Sequence, residues 1–214
     1  ASTNGPVTTD DVVDAAEALL RVGGFEALSV RAVGERLGVS RQVVYTHFGG
    51  IDGLLDALHR RASTYLTESV GAVAAEPGTT EHFLDGTDSY IGVAREHPHL
   101  YQLLFERPVA DYRPSAEASR AGRASFGHIV ASADAWLHGS ARSVPADETT
   151  WDRDATELAR AVWTAGHGFV VLERAGYATV AETDRLAATT VRALLAGWSE
   201  RPEHGSASAD GSVG

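Results

Sequence analysis

Apolar residues recur at helical spacing along nearly the whole chain, and no stretch alternates polar and apolar positions over a strand's length. The pattern predicts an all-α fold of about nine helices. The first starts near Thr8 or Thr9, carries Asp10 and Asp11 at its positive end and buries Val12, Ala16, Leu19 and Leu20. It stops at Gly23-Gly24, after which Phe25 turns inward. A second, short helix runs from Ser29 as N-cap to Gly38, with Val30, Val33 and Leu37 inward, and a third runs from Ser40 through Val43, Val44 and Phe48 to Gly49-Gly50. A longer fourth extends from Ile51 to about Ala75. Five more are expected at roughly 80–96, 98–106, 114–142, 150–175 and 182–199, with Pro98, Pro108, Pro114 and Pro145 at helix starts or in loops. Residues 1–7 and 201–214 have almost nothing apolar to bury and are expected to be flexible. The organisation predicted is a small three-helix head at 8–50 on a larger helical body at 51–200.

Composition narrows the function. A chain of 214 residues with 43% hydrophobic and 22% charged residues is long enough for a real core and reads as globular. No apolar run approaches the roughly 20 residues that span a bilayer, and the first residues lack the basic and apolar regions of a signal peptide, so a cytoplasmic location without a membrane partner is expected. The absence of cysteine excludes disulfides, thiolate metal sites and a cysteine nucleophile. GxxxxGK[ST], GxGxxG, GxSxG and HExxH are all missing, so no catalytic residue and no cofactor is assigned. His97-Pro-His99 is the closest histidine pair, but no helical histidine or glutamate partner accompanies it, and no metal is expected. The net charge of -11 argues at first against nucleic acid. Its distribution reverses that: Ser29 to His47 holds three arginines against one acid, whereas residues 51–214 hold 14 arginines against 23 acids.

The basic stretch coincides with two short helices joined at Gly38-Val39-Ser40, the geometry of a helix-turn-helix, whose second helix enters the major groove. Val33, Leu37, Val39, Val44 and Phe48 lock the pair against the first helix. Arg41, Gln42, Thr46 and the edges of Tyr45 and His47 are left outside, beside the N-cap Ser40. Arginine grips guanine and glutamine grips adenine bidentately, while tyrosine, threonine and histidine reach phosphates. The N–H groups beside Ser29 and Val30 offer a further phosphate site, with Arg31 on the same front.

The run LSVRAVGERLGVSRQVVYTHFGGIDGLLDAL resembles the N-terminal signature of the TetR family of repressors: a serine or threonine starting the second helix, LGVS, Tyr-x-His-Phe ending the third, and the Leu-Leu of the fourth. The resemblance implies that Tyr45 and His47 contact phosphates, that Arg41, Gln42 and Thr46 face bases, and that Arg31 reaches the groove. Many members carry a lysine where this chain has Ile51, which implies a stronger reliance on arginine and a shallower salt dependence. A second segment, AVWTAGHGFVVLE with Trp163, His167 and Gly168, is similar to the Trp-His-Gly motif in the C-terminal domain of one branch of that family.

A two-fold operator requires a dimer. Leu158, Val162, Ala165, Phe169 and Leu172 on one late helix, with Leu186, Leu194, Leu195 and Trp198 on the next, supply apolar surface, and the resemblance implies a four-helix bundle across the dimer axis. Of these, Leu158, Val162, Phe169, Leu194 and Trp198 are the expected interface, although the same residues would serve equally as internal core. The middle helices carry Phe83, Tyr90, Tyr101, Phe105, Phe126, Trp136 and Trp163, and His167 shares a face with Trp163. Tyr90, Phe105, Phe126, Trp163 and His167 are the expected contacts of a small, largely apolar ligand. The function expected is a homodimeric repressor released from a double-stranded DNA operator by a small-molecule effector. A constitutive DNA-binding regulator, or an enzyme for a small apolar substrate with a vestigial head, are the alternatives.

Overall fold

The computed structural model describes residues 6–139 and 148–201. Among them are nine α-helices and no strand: α1 Thr9–Ala27, α2 Val30–Leu37, α3 Arg41–Phe48, α4 Ile51–Gly71, α5 Thr80–Glu96, α6 Pro98–Phe105, α7 Ala116–His138, α8 Arg153–Arg174 and α9 Val180–Ser199, with a 3-10 turn Glu148–Thr150 before α8. The expected flexible ends lie largely outside the described residues, as do Pro145 and the end of the helix expected to reach residue 142.

Local chemistry explains most boundaries. A capping box holds the start of α1, where the Thr8 hydroxyl accepts from Asp11 N at 3.1 Å and the Asp11 carboxylate accepts from Thr8 N at 2.8 Å. The expected stop at Gly23-Gly24 is instead a kink: Gly24 adopts φ 63°, ψ -163°, and one more turn follows to Ala27, with Phe25 edge-on to His99 at 6.0 Å. Between α2 and α3, Gly38 is left-handed (φ 70°, ψ 27°), as the tight turn requires. α4 ends at Gly71 rather than near Ala75, because the Ala75 carbonyl is bonded to His82 Nδ1 at 3.0 Å, which draws residues 72–78 into a loop. α9 begins two residues earlier than expected because Thr179 and Glu182 form a second capping box.

Packing joins the head to the body through α4. The first core cluster holds Val12, Ala16 and Leu20 of α1, Val33 of α2 and Val44 of α3, together with Leu54, Leu55 and Leu58 of α4 and Leu100 and Leu103 of α6. A second cluster (Phe83, Val130, Leu158, Val162, Val191, Leu195) binds α5, α7, α8 and α9, and a third (Leu66, Tyr90, Ile91, Tyr101, Val170, Ala187) lies beside it. The helix that carries Leu66 into the third cluster of the body thus starts inside the head's core, an arrangement in which displacement at one end is felt at the other.

Candidate nucleic-acid interface and body cavity

Val44 is wholly buried and pins α3 to the head, which leaves Arg41, Gln42, Tyr45, Thr46 and His47 exposed in a row on its outer surface. Several of them are already engaged. The Thr46 hydroxyl donates back to the Gln42 carbonyl (2.9 Å), and His47 Nδ1 is bonded to the Thr9 hydroxyl (3.2 Å), which leaves its Nε2 for a phosphate. Arg31 Nε donates to Glu35 at 2.7 Å, an exposed pair that a phosphate oxygen can replace at little cost. Ser29 caps α2 by accepting from Ala32 N at 3.0 Å, so the phosphate site expected there has one donor fewer than the sequence suggests. Ser40 makes no side-chain cap and keeps its hydroxyl free. Thr9, which orients His47, carries no sequence signal beyond helix initiation.

The body holds a cavity of about 590 Å³, open at one rim, between α4, α5, α6, α7 and α8. Four of the five aromatic and imidazole side chains expected to meet a ligand line it: Tyr90, Phe105, Phe126 and Trp163. His167 stands just behind, at the end of a hydrogen-bond chain. Trp163 Nε1 donates to Tyr90 Oη (3.2 Å), Tyr90 Oη is 2.9 Å from Tyr101 Oη, and Tyr101 Oη is 2.5 Å from His167 Nδ1. An indole N–H only donates, and the arrangement in which every hydroxyl proton then finds an acceptor has Tyr90 donating to Tyr101 and Tyr101 donating to a neutral His167. Burial supports these states: it pushes the Tyr90 phenol up to about 12, raises Tyr101 as well, and holds His167 below the ordinary imidazole range. The residues missed in the sequence are His59 and Ser63 on α4 and Arg123 and Arg160 on α7 and α8, which line the same cavity. His59 and Ser63 share the α4 stripe 59, 63, 66, 70 with Leu66 and Val70, but that spacing alone does not mark a cavity wall, and Arg123 and Arg160 carry no sequence signal.

Burial also holds His59 low, chiefly through desolvation. A histidine whose folded pKa lies below its unfolded value binds fewer protons folded than unfolded, so its stabilising contribution is complete above the unfolded pKa and is lost as pH falls through the folded one. The melting temperature is therefore expected to drop between about pH 7 and about pH 5. His167→Gln is expected to flatten that slope; an unchanged slope in scanning calorimetry would place the titration elsewhere.

The expected dimer stripe needs correction. Leu158 and Val162 are 0% and 5% exposed within a single chain, because α8 turns them into the second core, so a partner cannot reach them. Phe169, Leu194 and Trp198 are partly buried against the same interior. The apolar side chains that α8, α9 and their connection leave exposed are Val171, Leu172, Tyr177, Val180 and Leu186. His97 and His99 do not converge: His97 Nδ1 is bonded to Glu17 and His99 Nδ1 to Gln102. Asp134, His138 and Asp152 bring ligand atoms within 4.8 Å of one another, a grouping absent from the sequence reading.

With this geometry in view, two family matches cover most of the chain. Residues 12–58 match the family described as bacterial regulatory proteins, tetR family, and residues 84–194 match the tetracyclin repressor-like C-terminal domain. The HTH-type transcriptional regulator AlkX of Mycobacterium tuberculosis is 30% identical over 159 residues, 72% of this chain and 70% of that protein. An uncharacterized HTH-type transcriptional regulator of the same organism is 24% identical over 200 residues, 93% of this chain and 85% of that protein. Among solved structures, a protein of unknown function from Rhodococcus sp. RHA1 has the same fold, with a TM-score of 0.75 at 23% identity over 91% of this chain and 97% of that one. So does a TetR variant from Acinetobacter baumannii AYE in complex with minocycline, with a TM-score of 0.60 at 20% identity over 91% and 97%. No helix among the described residues is long and apolar enough to cross a membrane.

Proposed function

Because the chain belongs to the TetR family of helix-turn-helix transcriptional regulators, we propose that it is a homodimeric repressor whose two heads leave a double-stranded DNA operator when a small molecule fills the body cavity. The observation that carries this reading is the path of α4, which starts in the core of the head at Leu54 and lines the cavity with His59, Ser63, Leu66 and Val70. A ligand that moves those side chains displaces the helix on which α3 is seated. The coupling needed is modest, about 1–3 kcal/mol for a 5- to 150-fold change in operator affinity. On this reading residues 8–50 contact DNA, with Arg41 and Gln42 at base edges and Tyr45 and His47 on phosphates, and residues 51–200 hold effector and partner copy. The exposed apolar face of α8 and α9 is the surface we assign to the second copy, and the cytoplasm is where the protein meets its DNA. No catalytic step is assigned to the cavity.

Titration of duplexes from the chain's own upstream region tests the reading. Arg41→Ala is expected to cost about 1–3 kcal/mol and to relax preference at one operator position, whereas Tyr45→Phe weakens every sequence by a similar factor. Wild-type binding by both variants would remove α3 from the groove. Specific binding that no cavity-filling molecule alters would favour the constitutive regulator instead.

A further inference from the structure

The polar groups of the cavity are not scattered. On α4 the stripe His59, Ser63, Leu66, Val70 passes from polar to apolar away from the head, and on α7 Ser119 and Arg123 give way to Phe126 and Ile129 in the same direction. The two stripes are in register: a Cβ at Gly122 would lie 3.5 Å from His59 Cε1, and the Ser125 hydroxyl is 2.8 Å from the Thr67 hydroxyl. Beyond Val70 and Ile129 a smaller chamber continues, lined by Phe83, Val162 and Gly166 and by His82, Thr87 and Ser132, whose polar groups are already bonded within the protein: His82 to the Ala75 carbonyl and Ser132, Thr87 to the Phe83 carbonyl. The space is therefore shaped for a molecule with one polar end near the head and an apolar remainder running into the body.

The chemistry of the polar end follows from two groups. His59 is 6% exposed, and its Nδ1 is sealed from solvent with no hydrogen-bond partner. A sealed lone pair costs less than a sealed N–H, so the proton belongs on Nε2, where the ring offers a donor to the cavity it lines. At the open rim stand Arg123, Arg160 and Glu148; Arg123 is paired with Glu148 at 2.8 Å, and Arg160 has no carboxylate partner among the described residues. Among the described residues the rim sets two guanidiniums against one carboxylate, one positive charge in excess.

We propose that the cavity's ligand is a monoanionic amphiphile, an apolar chain or ring system bearing a single carboxylate, with that carboxylate between His59 and Arg160 and the apolar part lying along Phe126, Trp163 and Ile129. This rests on the ligand-released reading above and names the chemical class that reading leaves open. Of the other polar side chains of the lining, Ser63, Tyr90, Ser119, Ser125 and Thr164 accept as well as donate and Trp163 only donates, so none of them discriminates against an anion.

Decanoate, decanol and decylamine, which share one apolar chain, test the class through quenching of the tryptophan fluorescence of the full chain. Decanoate is expected to bind at least about ten-fold more tightly than either of the others, and Arg160→Gln to remove about ten-fold of that preference while leaving decanol unchanged. Arg160 is exposed, so its variant keeps the fold. His59→Leu, whose melting temperature is checked in parallel, is expected to act the same way. Equal binding of the three, no binding by decanoate, or an Arg160→Gln variant that keeps the full preference would overturn the proposal. Release of an operator duplex is read separately. Decanoate that binds without releasing DNA leaves the ligand class standing and overturns the effector reading, and release by decanol or decylamine but not decanoate does the reverse.

Discussion

Gly53→Ala is expected to unseat the recognition helix. A Cβ built on Gly53 lies 1.9 Å from the Phe48 carbonyl oxygen, 3.0 Å from its carbon and 3.4 Å from its Cα, all of them backbone at the end of α3. No side chain can rotate aside to relieve that overlap, so either the last turn of α3 or the first turn of α4 must move. In an open helix position the same change stabilises by about 1 kcal/mol, which is the outcome expected for Gly92→Ala on α5, where no atom lies within 4 Å of the added Cβ. At Gly53 the sign reverses: a loss of at least about 3 kcal/mol is expected, the upper end of the range for forced overpacking. Because the strain falls on the α3–α4 junction, operator affinity should drop by about a hundred-fold or more. Circular-dichroism melts and fluorescence anisotropy with an operator duplex measure the two effects, and a stabilised Gly53→Ala protein with intact binding would contradict the close approach.

The second large effect concerns the polar joint between head and body. Glu17 on α1 is 7% exposed, and its carboxylate accepts from Arg61 Nη1 at 3.3 Å and Tyr65 Oη at 3.2 Å on α4 and is 3.0 Å from His97 Nδ1 at the start of α6. The Tyr65 and His97 rings stack at 4.3 Å, so three side chains, two from α4 and one from the start of α6, converge on the α1 carboxylate. Glu17→Ala leaves the cation and the hydroxyl without that acceptor. The expected loss is about 2–4 kcal/mol, less than for a sealed pair because Arg61 keeps Asp14 at 2.5 Å. Glu17→Gln, which restores an acceptor without the charge, should recover part of it. A Glu17/Arg61 double-mutant cycle reads the coupling directly, and additivity of the two single changes would show that the contact contributes nothing.

Much of this was legible before any coordinates. The helix starts at Thr8, Ser29 and Ser40, the turn at Gly38 and the outward set Arg41, Gln42, Tyr45, Thr46 and His47 all depend on residues within a few positions of each other. Four of the five side chains expected at the cavity wall do line it, since large aromatics on several middle helices have one interior to share. What failed was of a different kind. Leu158 and Val162 lie on an apolar stripe of α8 that looks the same whether its neighbour is α7 of the same chain or a second copy, and only packing distinguishes the two. His59 and Arg160 read as ordinary polar positions on amphipathic helices until the folded chain brings them to one cavity.

The residue pattern alone was thus enough for the all-α class, the order of the helices and the face α3 turns outward, because 3.6-residue periodicity, caps and turn glycines are contacts between near neighbours in the chain. Which apolar stripe is core, why residue 53 must lack a side chain, how Glu17 joins head to body and where the cavity is polar were decided only in three dimensions. Each depends on groups many residues apart whose distance is fixed by packing, and no local spacing encodes it.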